Sequence, residues 1–172
     1  MLDGVQRREE ILRQLGQSER PLSASRFAKE FGVSRQIIVG DVALLRAAGE
    51  EIIATARGYL LENQAEQGFL KKIAVQHEAK DTRIELETIV ANGGEIVDVI
   101  VEHALYGELV GGLHIQNQRD IDDFIAAYRN TNANLLSDLT NGIHLHTIRY
   151  QKPEDIEKIQ AALLEKGILY QE

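Results

Sequence analysis

Cysteine and tryptophan are absent from this 172-residue chain, and proline occurs twice. Without cysteine there is no disulfide framework, no thiolate zinc site and no cysteine nucleophile. No apolar run approaches the roughly 20 residues of a membrane span. The opening MLDGVQRREEIL has no apolar centre and no cleavage-like site, so it does not read as a secretory signal. A Gly-rich phosphate loop is missing too, because GELVGG has neither the required lysine nor a suitable following helix cap. No G-x-S-x-G nucleophile elbow occurs. These absences lead to the expectation of a cytoplasmic protein with no membrane partner.

What is present is ordinary for a globular chain, with 44% hydrophobic and 27% charged residues. The length suits one domain or two small ones. The net charge of −8 is unevenly spread: residues 1–62 hold nine basic and nine acidic side chains, and the remainder holds ten and eighteen. Two domains with different partners follow from that asymmetry.

The first sixty residues carry three helical stripes. Val5, Ile11, Leu12 and Leu15 form the first, which Gly16 is expected to end. Ser23 is placed to cap a second helix that buries Phe27, Ala28 and Phe31. Gly32 and Val33 make a tight turn, and Ser34 caps a third helix with Ile38, Val42 and Leu45 inside. Gly49 stops that helix, and EIIATARGYLLE reads as two short strands around an Ala-Arg-Gly turn. This is the pattern of a winged helix-turn-helix over residues 1–63. Its third helix presents Ser34, Arg35, Gln36 and Ile37 at the end that enters a major groove. Glutamine pairs bidentately with adenine and arginine with guanine. Arg57, at the hairpin tip, is placed to reach phosphates or the minor groove. Helical periodicity alone is equally compatible with a three-helix protein-contact domain. Gly40 weakens the third helix, and either close packing or close approach of DNA explains it.

After a polar link, LENQAEQG, residues 68–172 alternate strands and helices. The first strand places Phe69, Lys71, Ile73, Val75 and His77 on one face. A helix follows, capped by Asp81 or Thr82, with Leu86, Ile89 and Val90 inward and Gly93-Gly94 at its end. Val97, Val99, Val101 and His103 alternate on the next strand, and ELVGGLHI is another. A helix with Ile121, Phe124, Ile125 and Tyr128 on one side precedes the strand GIHLHTIRY. The last helix has Pro153 near its first turn and Gly167 past its end, and ILYQE is a final short strand. The fold class is therefore α+β: a winged helix-turn-helix, then an α/β sandwich with a mostly antiparallel sheet and helices on one face.

Five histidines occur in the chain, and His144 and His146 stand two apart in a strand, so both imidazoles point the same way. The motif suits a pair of metal ligands, and equally a pair of partly exposed edge-strand histidines. His77, at the end of one strand, and Glu85, in the first turns of the following helix, are placed to converge with them. Three imidazoles and a carboxylate suit zinc, nickel, iron or cobalt better than magnesium or calcium. His103 lies close to Tyr106 and Glu108 and reads either as an effector group or as a histidine bonding a turn. His114 reads as a residue of the sheet surface. Arg119, at a helix start, pairs with acidic neighbours or clamps a carboxylate ligand.

The segments VSRQIIVGDVALLRA, IIATARGYLL, EHALYGEL and NGIHLHTI together resemble the niacin-responsive transcriptional repressors of bacteria, over essentially the whole chain. The likeness implies a biotin-repressor-like winged helix-turn-helix joined to a three-histidine regulatory and dimerisation domain. It further implies operators of niacin uptake and salvage genes, nicotinic acid as co-repressor, and a homodimer on double-stranded DNA. His77, Glu85, His144 and His146 match the family's ligand pattern for one divalent transition metal per subunit, nickel or zinc or else iron. Gly40, where a long polar residue is usual, and Ala104, where proline is usual, depart from the pattern. Nicotinate is a planar carboxylate, and His103, Tyr106 and Arg119 are the residues placed to receive it beside the metal. The alternatives are a metal-dependent hydrolase fused to a DNA-binding domain, and a sensor of another small molecule whose metal is purely structural.

Overall fold

The apolar stripes of the first sixty residues close on one another in a small core of their own. The computed structural model describes residues 1–62, 68–130 and 134–171, and the chain divides into two units, Met1–Ala65 and Glu66–Glu172. The centre of the expected polar link, 63–67, lies outside the described residues.

In the first unit, α1 (Gly4–Gln17), α2 (Ala24–Phe31) and α3 (Arg35–Ala47) are followed by the hairpin of β1 (Ile52–Thr55) and β2 (Gly58–Leu61). Ile11, Phe27 and Ile38 are wholly buried at its centre. Burying an apolar side chain of this size contributes about 1.5–3 kcal/mol. Ser23 and Ser34 cap α2 and α3, accepting from the amides of Arg26 and Ile37. Gly32 ends α2 at φ 66°, the left-handed conformation glycine adopts freely. Gly16 does not end α1, which runs on to Gln17. That helix is instead fixed at its start by a reciprocal Asp3–Gln6 capping box. Tyr59 of β2 exchanges backbone hydrogen bonds with Leu22, which ties the wing to the α1–α2 connection.

In the second unit, β3 (Phe69–Gln76), β4 (Gly94–His103), β5 (Gly107–Ile115) and β6 (Ile143–Tyr150) form a sheet in the order β5-β4-β6-β3. Each of these pairings is antiparallel. α4 (Thr82–Ala91), α5 (Gln118–Asn130) and α6 (Asp155–Glu165) cover one face. Leu86, Ile89, Ile121, Ile159 and Leu163 pack there against Ile73, Val75, Ile96, Ile115 and Ile148. A 3₁₀ turn, Leu136–Thr140, which the periodicity did not signal, lies between α5 and β6.

Four local expectations are corrected. Val97, Val99, Val101 and His103 do not share one face. A bulge lets Ile96 pair with Ile148 while Asp98 pairs with Thr147, so Val97 is the extra residue and parity reverses there. Ile96 enters the core instead, wholly buried. Neither Asp81 nor Thr82 caps α4 through its side chain. ILYQE makes a bridge, Leu169 to Val75, rather than a strand. His114 is not a surface residue: it is buried, at φ 51°, where β5 shifts register against β4.

Candidate metal centre and nucleic-acid interface

The β3–β6 register sets the histidines in place. Ile73 faces His146 and Val75 faces His144, so both imidazoles enter the layer between sheet and helices. His77, just beyond β3, continues that line. Glu85 projects from α4 beside the buried Leu86 and Ile89, with only 1% of its surface exposed. His144 Nε2 lies 3.1 Å from Glu85 Oε2, and His146 Nε2 lies 2.5 Å from Glu85 Oε1. His77 Nε2 abuts Glu85 Oε2 without hydrogen-bond geometry. The ligand atoms of His77, Glu85 and His144 all fall within 4.8 Å of one another, and His146 Nε2 joins them 3.1 Å from His144 Nε2.

Backbone carbonyls orient all three rings. Nδ1 of His77 lies 2.7 Å from the carbonyl of Glu78, Nδ1 of His144 2.8 Å from that of Gly142, and Nδ1 of His146 2.7 Å from that of Asp98. With Nδ1–H donating to each carbonyl, every neutral ring turns its Nε2 lone pair inward. Several lone pairs and a carboxylate then meet in buried space, an arrangement that only positive charge relieves. In the chain alone, protons supply it. Burial opposes charge on Glu85, yet the three imidazoles hold its carboxyl well below the ordinary 4.5. Burial would lower His77 and His146, and Glu85 raises both above 6.5 instead. Three imidazole nitrogens and one carboxylate also fit a divalent transition ion, whose charge would replace those protons.

The bulge at Val97 has a direct part in this geometry. It turns the Asp98 carbonyl to His146, while Asp98 Oδ1 accepts the amide of Thr147 at 3.0 Å. Sequence reasoning missed both this and the cavity beside the cluster. That cavity, about 50 Å³, has apolar walls from Val99, Leu113, Phe124 and Leu136, and the histidines and Glu85 close its other end. Thr82 Oγ1 also lines it, buried and without a hydrogen-bond partner. The threonine resembled a helix cap in the sequence, which hid this orientation.

His103, Tyr106 and Arg119 do not line the cavity. His103 Nδ1 accepts the amides of Leu105 and Tyr106, so it bonds the β4–β5 turn, and Tyr106 is 70% exposed. Arg119 is exposed on the first turn of α5. His114 pairs with Glu95, which also binds Arg149.

In the first unit, Ser34, Arg35, Gln36 and Ile37 are all exposed at the start of α3. Arg57 is half-buried in the wing turn, its amide held by Thr55 Oγ1. Gly40 is exposed in the middle of α3, and a Cβ there would meet nothing within 4 Å. Packing within the unit therefore does not require glycine, although it weakens a helix interior by about 1 kcal/mol relative to alanine. The sequence reading also missed Asp41. It is buried in α3 and binds Arg7 at 2.8 Å and Arg8 at 3.2 Å, both on α1.

Comparison with known proteins matches an HTH domain at residues 7–60 and a 3H domain at residues 70–172. The chain is 40% identical over 167 residues to a probable transcription repressor NiaR of Thermotoga maritima, covering 97% of this chain and 95% of that one. It is 39% identical over 171 residues to the transcription repressor NadR of Bacillus subtilis, covering 98% and 95%.

Proposed function

The chain belongs to the niacin-responsive repressor family, and on that premise we propose that nicotinic acid controls its DNA binding through a metal centre in the C-terminal unit. It is a DNA-binding transcription repressor of NAD and niacin metabolism and not an enzyme, in keeping with relatives named as repressors. The hydrolase alternative falls with that finding. We take its operators to be those of niacin uptake and salvage genes, and its place of work to be the cytoplasm. Two copies are proposed to pair through the C-terminal unit, setting two winged units about one turn of DNA, or a multiple of it, apart.

The observation that carries the effector reading is the adjoining pair of sites: three inward imidazoles with Glu85, and beside them an apolar cavity. His77, Glu85, His144 and His146 would hold one divalent transition metal, nickel, zinc or iron, which when bound supplies a Lewis-acidic position for a carboxylate. The position of the cavity favours Val99, Leu113, Phe124 and Leu136 over His103, Tyr106 and Arg119 as the walls for a pyridine ring. Thr82 Oγ1 has a free donor for a carboxylate oxygen. Room for the ring requires the wall to give, since about 50 Å³ is well below the roughly 150 Å³ of a cavity that admits benzene. The 3₁₀ turn carrying Leu136 is the short element of that wall. It continues to Gly142, whose carbonyl orients His144. Effector entry and ligand geometry are thereby linked, and nicotinic acid shifts the population by favouring the DNA-competent arrangement.

Ser34, Arg35, Gln36 and Ile37 of α3, with Arg57 of the wing, are proposed to contact the operator. Calorimetric titration of nicotinic acid into nickel-loaded and metal-stripped protein tests the site. Binding is expected in the loaded protein and its loss in the stripped one. Equal affinity in both would make the metal structural and remove it from sensing.

A further inference from the structure

Gly32, Gly49 and Gly58 of this unit each have a local reason. Gly32 and Gly49 adopt φ 66° and 101°, and a Cβ on Gly58 would lie 2.5 Å from the Leu22 carbonyl carbon. Gly40 has neither a positive φ nor any neighbour for a Cβ. Gly16 is open in the same way, but it is the penultimate residue of α1, where helix propensity has little weight. Gly40 is the sixth of the thirteen residues of α3, where that weight is greatest.

Its direction narrows the explanation. Ile38, Val42 and Leu45 turn α3 inward. Gly40 follows Gln36 by one helical turn, and the exposed Ala43 and Ala47 continue the same outward face. Below the first turn, Leu44 is the one long side chain exposed beside that face, and Gly40, Ala43 and Ala47 leave the backbone bare next to it. The Cα cylinder of a helix has a radius of about 2.3 Å, against an overall diameter of about 10–12 Å with side chains. Side chains rather than backbone therefore limit how deeply a helix seats in a major groove about 12 Å wide.

Charge identifies the occupant. The one carboxylate of α3, Asp41, is turned inward and neutralised by Arg7 and Arg8. Arg35 and Arg46 remain exposed at the two ends of the helix. The outward surface of α3 is thus cationic at its ends and uncharged between them, with a bare stretch of backbone at Gly40, complementary to a polyanion approached at close range.

We infer that Gly40 is the point of closest approach between α3 and double-stranded DNA. Reading is left to Arg35, Gln36 and Ile37, while the backbone around Gly40 seats against the groove. This rests on the DNA-binding reading above and adds a residue that determines fit.

The test compares the full-length parent chain with Gly40→Ala and Gly40→Gln. The probe is a duplex enriched by the parent from a random-sequence pool in the presence of nickel and nicotinic acid. Thermal unfolding is followed alongside binding. Gly40→Ala is expected to raise the unfolding midpoint of the helical unit by about 4–8 °C while weakening duplex binding about tenfold or more. Gly40→Gln is expected to weaken it further. Opposed changes in stability and affinity are what a purely structural glycine would not produce. Duplex binding by Gly40→Ala equal to the parent's, or tighter binding by Gly40→Gln, would overturn the inference. Failure of the parent to enrich any duplex is a separate result, which removes the DNA-binding reading and this inference together.

Discussion

His144 and His146 owe their shared direction to strand geometry, and Glu85 gives that direction a chemical consequence. Its carboxyl is buried under three imidazoles, and their mutual effects fix how the cluster responds to pH. In the chain alone, Glu85 is depressed, so its contribution to stability is present above 4.5 and is lost as pH falls through its lower folded value. His77 and His146 are raised, so theirs is full below 6.5 and is lost as pH rises through their higher folded values. The metal-stripped protein is therefore expected to lose stability from this cluster as pH rises past neutrality. A bound divalent ion would supply the positive charge those protons no longer give. The gap between the melting midpoints of nickel-loaded and stripped protein should widen from about pH 5 to about pH 8. A gap independent of pH would contradict the cluster as the metal site. The double variant His144→Ala, His146→Ala is expected to lose stoichiometric metal, as measured by elemental analysis after dialysis. Retained metal would place it elsewhere.

At the scale of elements, the bulged β4 and the paired α1 and α3 position the two functional ends. Asp98→Ala removes the acceptor of the Thr147 amide and loosens the bulge that aims the Asp98 carbonyl at His146. Leaving that amide without a partner costs about 1–3 kcal/mol. Nickel affinity, measured by chelator competition, should fall about tenfold. Asp41→Ala leaves two arginines without their carboxylate. Both keep some access to water, so the loss belongs near about 1–3 kcal/mol rather than the figure for a fully buried pair. Chemical denaturation reads that loss directly. The same elements show why the sequence was legible in some places only. Strong periodicity and serine caps made α2 and α3 visible, and period two put His144 beside His146. A bulge is one residue of register with no composition of its own, so Val97 was assigned the wrong face. Asp41 was missed because a lone acid within an apolar stripe gives no sign of which arginine turns toward it. Thr82 looked like a cap, and the cavity it lines is formed by residues from seven separate segments.

For the whole molecule, the uneven charge has a physical sense. A neutral first unit can present local cations to DNA, while the acidic second unit does not compete for the phosphates. The proposed dimer, held through the second unit, should persist when α3 is altered, so sedimentation of Arg35→Ala, Gln36→Ala is expected to match the parent while operator affinity falls. With the proposed effector site in one unit and the reading helix in the other, repression becomes a coupling between two sites. That coupling is measurable as the change in operator affinity on adding effector. Operator binding should therefore be titrated with nickel-loaded and stripped protein, each with nicotinic acid, nicotinamide or NAD. Nicotinic acid is expected to tighten binding of the loaded protein and to leave the stripped protein unchanged. An operator affinity indifferent to every pyridine, or raised equally without metal, would contradict nicotinate control through the histidine–glutamate centre.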